Sequence, residues 1–225
     1  MTARKMRWSV ALAVVGALLL WGAAPASAAD VRTPNYAGFR VTAGANKTAS
    51  ASFKVVAVTC TSATTGAAME VNAVRGNNYV HAAVFIYYCT GGHLSYYAQA
   101  VANGTGSSVQ KTAAVGDTIN VSMTVSGTTV KSTVKDVTKN WTLSKSGPLG
   151  TVAQLQVGTN WVQVGSTTIP VAHFAPEKFS AATVGGKPLG QGNPTRLVMG
   201  TSSVVKVQPS AIVGGNSFTD TWKHA

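Results

Sequence analysis

The chain has 225 residues, and its 18 lysines and arginines against six acidic residues give a net charge of +12. Such a balance favours anionic partners such as cell-surface polymers or acidic lipids. The basic residues are scattered singly and no nucleic-acid motif accompanies them, which argues against specific nucleic-acid binding.

The first element in chain order is a targeting segment. Three basic residues within the first eight precede an apolar stretch from Val10 to about Ala24, and Ala26-Ser27-Ala28 then forms an A-x-A cleavage site. The apolar stretch is shorter than the roughly 20 residues of a membrane span, and no later run approaches that length. We therefore predict a signal peptide over residues 1–28 and a secreted chain, without a membrane span, that begins at Ala29.

Residues 29–225 are predicted to form a single all-β domain. Stretches such as "TINVSMTVSGTTVKSTVKDV" and "TVAQLQVGTNWVQV" alternate or run in β-branched residues, with Gly, Asn, Ser and Pro about every ten residues. The "SGTT" between two alternating segments predicts a hairpin. All six acids lie in this part of the chain, but only 15 of the basic residues, so it carries a net charge of +9. Many short strands with turns between them favour an antiparallel β-sandwich.

The two cysteines, Cys60 and Cys89, indicate one disulfide, because an even count in a secreted chain favours pairing. Two free thiols are the alternative. Two cysteines and four dispersed histidines show no ligand spacing, so we predict neither a metal site nor a cofactor.

The stretch from Tyr79 to Cys89, "YVHAAVFIYYC", reads as a central strand that is apolar on both faces. Strict alternation would place Tyr79, His81 and Phe85 on one face and Ala82 and Val84 on the other. His81 could be a catalytic base, a metal ligand or a core residue bonded to a neighbouring carbonyl; we favour the structural role. Hydrolase and nucleotide-binding motifs, such as G-x-S-x-G, H-E-x-x-H and the P-loop, are absent from the sequence.

Several segments in order resemble the secreted glutamic peptidases called eqolisins, particularly their bacterial relatives. These segments are "NYAGF", "ASASFKVVAVTC", the strand ending at Cys89, "GGHLSYYAQAVANGT", "VGDTINVSMTVSGTTV", "FAPEKFSAATVGGKPLG" and "SFTDTW". The resemblance covers almost the whole chain after residue 28. It implies a concanavalin A-like sandwich of two bent antiparallel sheets, with a substrate cleft on the concave face and an acid endopeptidase activity in active members.

Active members of that family use a glutamate as general base and acid, and a glutamine amide that binds the oxyanion. The resemblance places the glutamine at Ala82, counted back from Cys89. It places the glutamate at Gly158, because "AQLQVG" matches the family pattern A-E-W-I-V-E. A methyl group and a hydrogen cannot perform acid–base chemistry, so no catalytic residue is predicted.

Neighbouring cleft positions also differ from the family pattern. "MEVNAV" stands where relatives carry W-V-G-x-D-G, which puts Ala73 at the acid, and "AQAV" stands for A-W-Y-E, which ends at Val101. Glu70 is interpreted as an ordinary surface carboxylate. A register slip of two residues could bring Gln154 or Gln156 into the cleft. The other predicted cleft or binding residues, which ordinary sandwich packing would also explain, are Tyr96, Tyr97, Gln99 and Trp161.

The sequence thus predicts a secreted, non-catalytic homologue of the glutamic endopeptidases, a pseudoenzyme that acts as a binding or cell-surface protein. Its predicted ligands are a peptide or polysaccharide in the concave cleft and anionic cell-surface polymers. An acid endopeptidase with displaced catalytic residues and a lectin-like carbohydrate binder are the alternatives. A Gln and a Glu facing one cleft would distinguish the enzyme from the binding protein.

Overall fold

The computed structural model describes residues 30–76 and 78–224, and the predicted signal peptide and its cleavage site at residues 1–28 lie outside them. Nearly all regular structure in the described part is β-strand, with one short 3₁₀ helix at Leu189–Gly192. The strands, in chain order, are β1 (Val31–Thr33), β2 (Tyr36–Thr42), β3 (Ala49–Lys54), β4 (Val58–Thr59), β5 (Thr65–Arg75), β6 (Asn78–Thr90), β7 (His93–Ala102), β8 (Thr105–Lys111), β9 (Thr118–Ser126), β10 (Thr129–Asp136), β11 (Trp141–Pro148), β12 (Gln154–Asn160), β13 (Val162–Val164), β14 (Thr167–Ile169), β15 (His173–Phe174), β16 (Glu177–Val184), β17 (Lys187–Pro188), β18 (Thr195–Gly200), β19 (Val205–Pro209) and β20 (Phe218–Trp222).

Two layers are formed from one continuous ladder of strands. The first layer has the order β20-β19-β18-β2-β12-β5-β6-β7-β8, and the second has the order β11-β10-β9-β3-β16. Strands β9 and β10 of the second layer pack across β6 and β7 of the first. Pairing along the ladder is antiparallel, while β1 pairs with β18 in parallel. The predicted all-β antiparallel sandwich is therefore confirmed.

Strand β16 passes from one layer to the other. Its first half, Glu177–Phe179, pairs with β20, whereas Ser180 and Thr183–Val184 pair with β3. Between these halves the register shifts, and Ala181 adopts a φ of +48°. A residue in the left-handed region bends a strand sharply, so this local kink lets one strand join both sheets.

The main core lies between the layers and includes a chain of phenylalanine rings. Phe53 of β3 packs on Phe179 of β16 with ring centroids 5.5 Å apart, and Phe179 stacks on Phe218 of β20 at 4.9 Å. Phe39 of β2 meets Phe218 edge-on at 4.9 Å. Aromatic pairs at such distances add to the burial of apolar area, so these rings fasten the sheets together.

Two local predictions are confirmed. Cys60, which follows β4, is bonded to Cys89 near the end of β6, with Cα atoms 5.4 Å apart. The "SGTT" segment forms the turn between β9 and β10, where Thr129 pairs with Ser126 and Gly127 adopts a φ of +57°. Across residues 30–76 and 78–224, the structure contains no helix that is long and apolar enough to span a membrane.

Candidate functional site

A cleft of about 260 Å³ lies on the face of β5, β6 and β7 that points away from the second layer. Its floor belongs to an apolar cluster that is separate from the main core and includes Ala82, Val84 and Ile86 of β6. The β13–β14 hairpin covers one side through Val162 and Ile169. The lining residues are Ala68, Glu70, Tyr79, Ala82, Val84, Ile86, Gln99, Val101, Ser108, Asn160, Trp161, Val162 and Gln163.

A glycine on β5 lets the covering hairpin lie close to the sheet. A Cβ on Gly66 would stand 2.9 Å from the Cβ of Val162 and 3.0 Å from a methyl carbon of Ile169. Contacts this short are not tolerated in packed proteins. Gly66 therefore sets how closely the hairpin approaches the cleft.

The two positions that the resemblance assigns to catalysis both lie on this side of the sheet. Ala82 is on the cleft floor, 3% exposed. Gly158 of β12 sits between Gly38 of β2 and Glu70 of β5. With a φ of +152°, a Cβ on Gly158 would lie 2.1 Å from the carbonyl oxygen of Ala37. Any side chain at position 158 would therefore clash with the backbone of β2 unless β2 and β12 move apart.

One row of residues crosses the cleft from strand to strand. Gly158 pairs with Glu70, Glu70 with Val84, Val84 with Gln99, and Gln99 with Ser108. Paired residues share a face of the sheet, and neighbouring strands are about 4.8 Å apart, so the backbones of Glu70 and Gln99 lie about 10 Å apart. A glutamate and a glutamine thus face one cleft, with Val84 between them.

Glu70 is the buried polar centre of the cleft. The interpretation of Glu70 as a surface carboxylate is wrong, because the residue is only 3% exposed. Its Oε1 accepts hydrogen bonds from the side-chain amides of Asn72 and Asn160, the latter at 3.0 Å. Burial raises the pKa of the Glu70 carboxyl to about 7, although the two amide donors act in the opposite direction. The carboxyl can therefore exchange a proton near neutral pH.

The face of β5 that points into the cleft differs from the one implied by the match to W-V-G-x-D-G. Met69, Val71 and Ala73 belong to the main core between the sheets. Glu70 and Asn72 point the other way. The placement of Ala73 at the cleft acid is therefore wrong, and the residue on the cleft side at this point of β5 is Asn72.

A bulge in β6 changes the face of Tyr79. Ala73 pairs with His81 but Val74 pairs with Tyr79, so Val80 is the extra residue. Tyr79 consequently lines the cleft with Ala82 instead of sharing a face with His81, contrary to the alternation expected from sequence. Its hydroxyl has a raised pKa, mainly because of burial and secondly because of Glu70.

His81 has a structural role in the described chain. Its Nε2 lies 2.6 Å from the carbonyl oxygen of Leu149, and its Nδ1 accepts a bond from the backbone N–H of Asn103 at 3.1 Å. Because a carbonyl only accepts and an N–H only donates, these bonds fix one tautomer. The ring ties β6 to the loop before β12. Across the described ranges there is also no group of three His, Cys, Asp or Glu residues that could hold a metal.

The structure brings some of the predicted binding residues together and leaves others apart. Gln99 and Trp161 line the cleft, and Tyr97 packs against its apolar cluster. Tyr96 points into the main core, where its ring stacks on Phe85 at 5.7 Å. Gln154 and Gln156 alternate on β12 with the core residues Leu155 and Val157 and lie outside the cleft lining.

Sequence reasoning missed four polar residues of the cleft lining. Asn160 ends β12, and Tyr79, Ser108 and Gln163 lie on three different strands. A short polar run at the end of β12, "GTN", was the available signal for Asn160. The others are brought together only by strand pairing.

Comparison with solved structures identifies the fold. The sequence matches no family profile and no curated protein. The chain superimposes on scytalido-glutamic peptidase bound to a peptide-based transition state analogue, with a TM-score of 0.67 at 17% identity, covering 84% of this chain and 98% of that one. It also superimposes on SCP-B, a member of the eqolisin family in complex with the tripeptide Ala-Ile-His, with a TM-score of 0.63 at 18% identity and the same coverage. The chain therefore has the fold of the glutamic peptidases.

Proposed function

We propose that this chain is a secreted, non-catalytic homologue of the glutamic peptidases whose cleft binds an extended polypeptide. The observation that carries the proposal is that position 158 has no room for a side chain. A glutamate at this position would have to occupy the space of the Ala37 carbonyl. Ala82 likewise provides no amide in the same cleft, so neither position can supply the chemistry expected there.

The lining of the cleft supports a polypeptide ligand. Its apolar floor is bordered by Gln99, Ser108, Gln163 and Asn160, whose amide and hydroxyl groups can bond backbone N–H and C=O groups. Trp161 adds an aromatic surface to the rim. Peptides also occupy two of the solved structures that share the fold.

Titration calorimetry tests whether the protein binds blocked tripeptides of the form acetyl-Ala-X-Ala-amide, in which X is the residue that is varied. We expect saturable binding that weakens when Trp161→Ala removes part of the rim. Lys145→Ala on exposed β11, in the other layer, is the matched control and should leave the affinity unchanged. Equal affinity in all three proteins would contradict the proposed location.

Alternative ligands belong in the same titrations. A lectin-like function predicts binding of neutral oligosaccharides in place of the peptides. Binding to anionic cell-surface polymers predicts affinity for polyphosphate that falls steeply with salt and does not depend on Trp161.

One observation favours a second candidate, an acid endopeptidase with displaced catalytic residues: a Gln and a Glu face one cleft, which is the feature expected of the enzyme rather than of the binding protein. Glu70 and Gln99 occupy one row of the cleft with a single strand between them. In this candidate Glu70 takes a proton from water, the water oxygen attacks the peptide carbonyl, and Gln99 donates a bond to the oxyanion. The proton then passes to the leaving nitrogen as the C–N bond breaks.

Cleavage of a denatured protein at pH 3 to 8 tests this candidate, because Glu70, with a pKa of about 7, must be ionised to take a proton from water. Activity that Glu70→Gln and Gln99→Ala both remove would establish it. Glu177→Gln is the matched control, because Glu177 is a buried glutamate outside the cleft lining. Loss of activity in all three variants would instead indicate a general loss of structure.

A further inference from the structure

The cleft places one ionisable carboxyl beside an apolar floor. Glu70 pairs with Val84, and Ala68, Ala82 and Ile86 lie on the same side of the sheet. The described lining residues include no lysine, arginine or histidine that could pair with the carboxylate. Ionisation of Glu70 therefore places a charge that has two amide donors but no cationic partner in the part of the cleft that is otherwise most suited to apolar groups.

The other ionisable groups on the neighbouring strands do not change their charge over the pH range in which Glu70 titrates. Tyr79 on β6 and Tyr36 on β2 both have raised phenol pKa values, mainly through burial, so both stay neutral below pH 10. On β2, the charged residue on the Glu70 side of the sheet is Arg40. It pairs with Gln156 of β12, and β12 separates β2 from β5. β12 contributes only Gly158 and amide side chains to this face, and β7 contributes Gln99, Val101 and Tyr97.

We propose that the cleft binds an uncharged aliphatic side chain of a polypeptide, and that binding is strong while Glu70 is protonated and weak once it is ionised. This inference rests on the proposed polypeptide-binding function and adds the ligand class and its control by pH. The cleft volume of about 260 Å³ supports it. Pockets for small ligands occupy about 300–1,000 Å³, so this cleft suits one side chain rather than a large ligand.

The coupling between protonation of Glu70 and peptide binding sets the expected pH dependence of the affinity. The pKa of Glu70 is about 7 in the free protein. An aliphatic group that covers the carboxyl removes its remaining water and raises that pKa further. Binding then takes up a proton near neutral pH, and the affinity falls about tenfold for each unit by which binding raises the pKa.

Calorimetry at pH 5, 7 and 9 tests this with acetyl-Ala-Leu-Ala-amide and the matched peptides that carry Lys or Asp in place of Leu. We expect the Leu peptide to bind at least tenfold more tightly at pH 5 than at pH 9, and more tightly than either charged peptide. Repeating the pH 7 titration in buffers of different ionisation enthalpy measures proton uptake by the unmodified protein.

Variants assign the effect to one residue. Glu70→Gln should keep the affinity for the Leu peptide and abolish its pH dependence, whereas Glu177→Gln should leave that dependence intact. If the Leu peptide binds equally at all three pH values without proton uptake, the inference is wrong while polypeptide binding stands. Preference for the Lys peptide also overturns the inference, and failure of every peptide to bind overturns both proposals.

Discussion

At the scale of single residues, a backbone contact rather than a missing side chain best explains why the chain lacks the expected catalytic glutamate. Gly38 and Gly158 face each other on β2 and β12, and a Cβ on either would collide with a carbonyl oxygen of the other strand. Both residues have positive φ angles, +128° and +152°. The two strands are therefore adapted to glycine at this point.

Gly158→Ala should destabilise the protein by about 3 kcal/mol, because overpacking and an unfavourable φ act together. Chemical unfolding followed by circular dichroism measures the change. Gly44→Ala is the matched control, since a Cβ at that position meets no atom within 4 Å. Equal stability of the two variants would show that position 158 is open and would remove the main support for a non-catalytic cleft.

At the scale of the elements, the pattern of short strands and the β9–β10 hairpin are readable from sequence, and so is the alternation of β6 after His81, whereas the cleft face of β5 and the position of Tyr79 are not. Alternation of polar and apolar residues shows which face of a strand points into the core only where the other face is exposed. Nearly all residues of β5 and β6 are buried on both faces. The bulge at Val80 then turns Tyr79 toward the cleft, and no residue in the sequence indicates that bulge. The sequence predicted Gln99 and Trp161 as cleft residues but misplaced Glu70 and Ala73 of β5, Tyr79 of β6 and Tyr96 of β7.

The Cys60–Cys89 disulfide ties β4 to the end of β6, closing a loop with a sequence separation of 29. In the chain-entropy model such a loop stabilises the fold by roughly 3–4 kcal/mol. Cys60→Ser with Cys89→Ser should lower the free energy of unfolding by that amount, and reductant should affect only the unmodified protein. A reductant effect of the same size on the double variant would assign the loss to another cause.

At the scale of the whole molecule, five of the six acidic residues are buried, and three of these carboxyls, Glu70, Glu177 and Asp220, have raised pKa values. Besides Glu70, Glu177 accepts a bond from the Tyr87 hydroxyl at 2.7 Å, and Asp220 accepts one from Thr159 at 2.7 Å. Burial is the main cause that raises the pKa of Glu177 to about 8 and that of Asp220 to about 7. Glu177 and Asp220 are paired residues on β16 and β20, so their ionisation would place two like charges inside the sandwich.

These three carboxyls predict a protein that is most stable in acid. Their folded-state pKa values lie above the ordinary 3.8 to 4.5, so the folded protein holds protons that the unfolded chain releases. Their contribution to stability is complete below about pH 4 and is lost as the pH rises through 7 to 8. The urea midpoint should therefore fall between pH 5 and 9, and Glu177→Gln should flatten the decline. A midpoint that rises over this range would contradict the assignment.

We propose that the cleft binds a polypeptide without cleaving it. The most direct measurement is the intact mass of acetyl-Ala-Leu-Ala-amide incubated for a day with an excess of the purified chain at pH 4, where binding is tightest, and at pH 7, where Glu70 is partly ionised and able to act as a base. We expect the peptide mass to remain unchanged while calorimetry shows the peptide to be bound. Fragments that form with the unmodified protein and with Glu177→Gln, but not with Glu70→Gln, would contradict it.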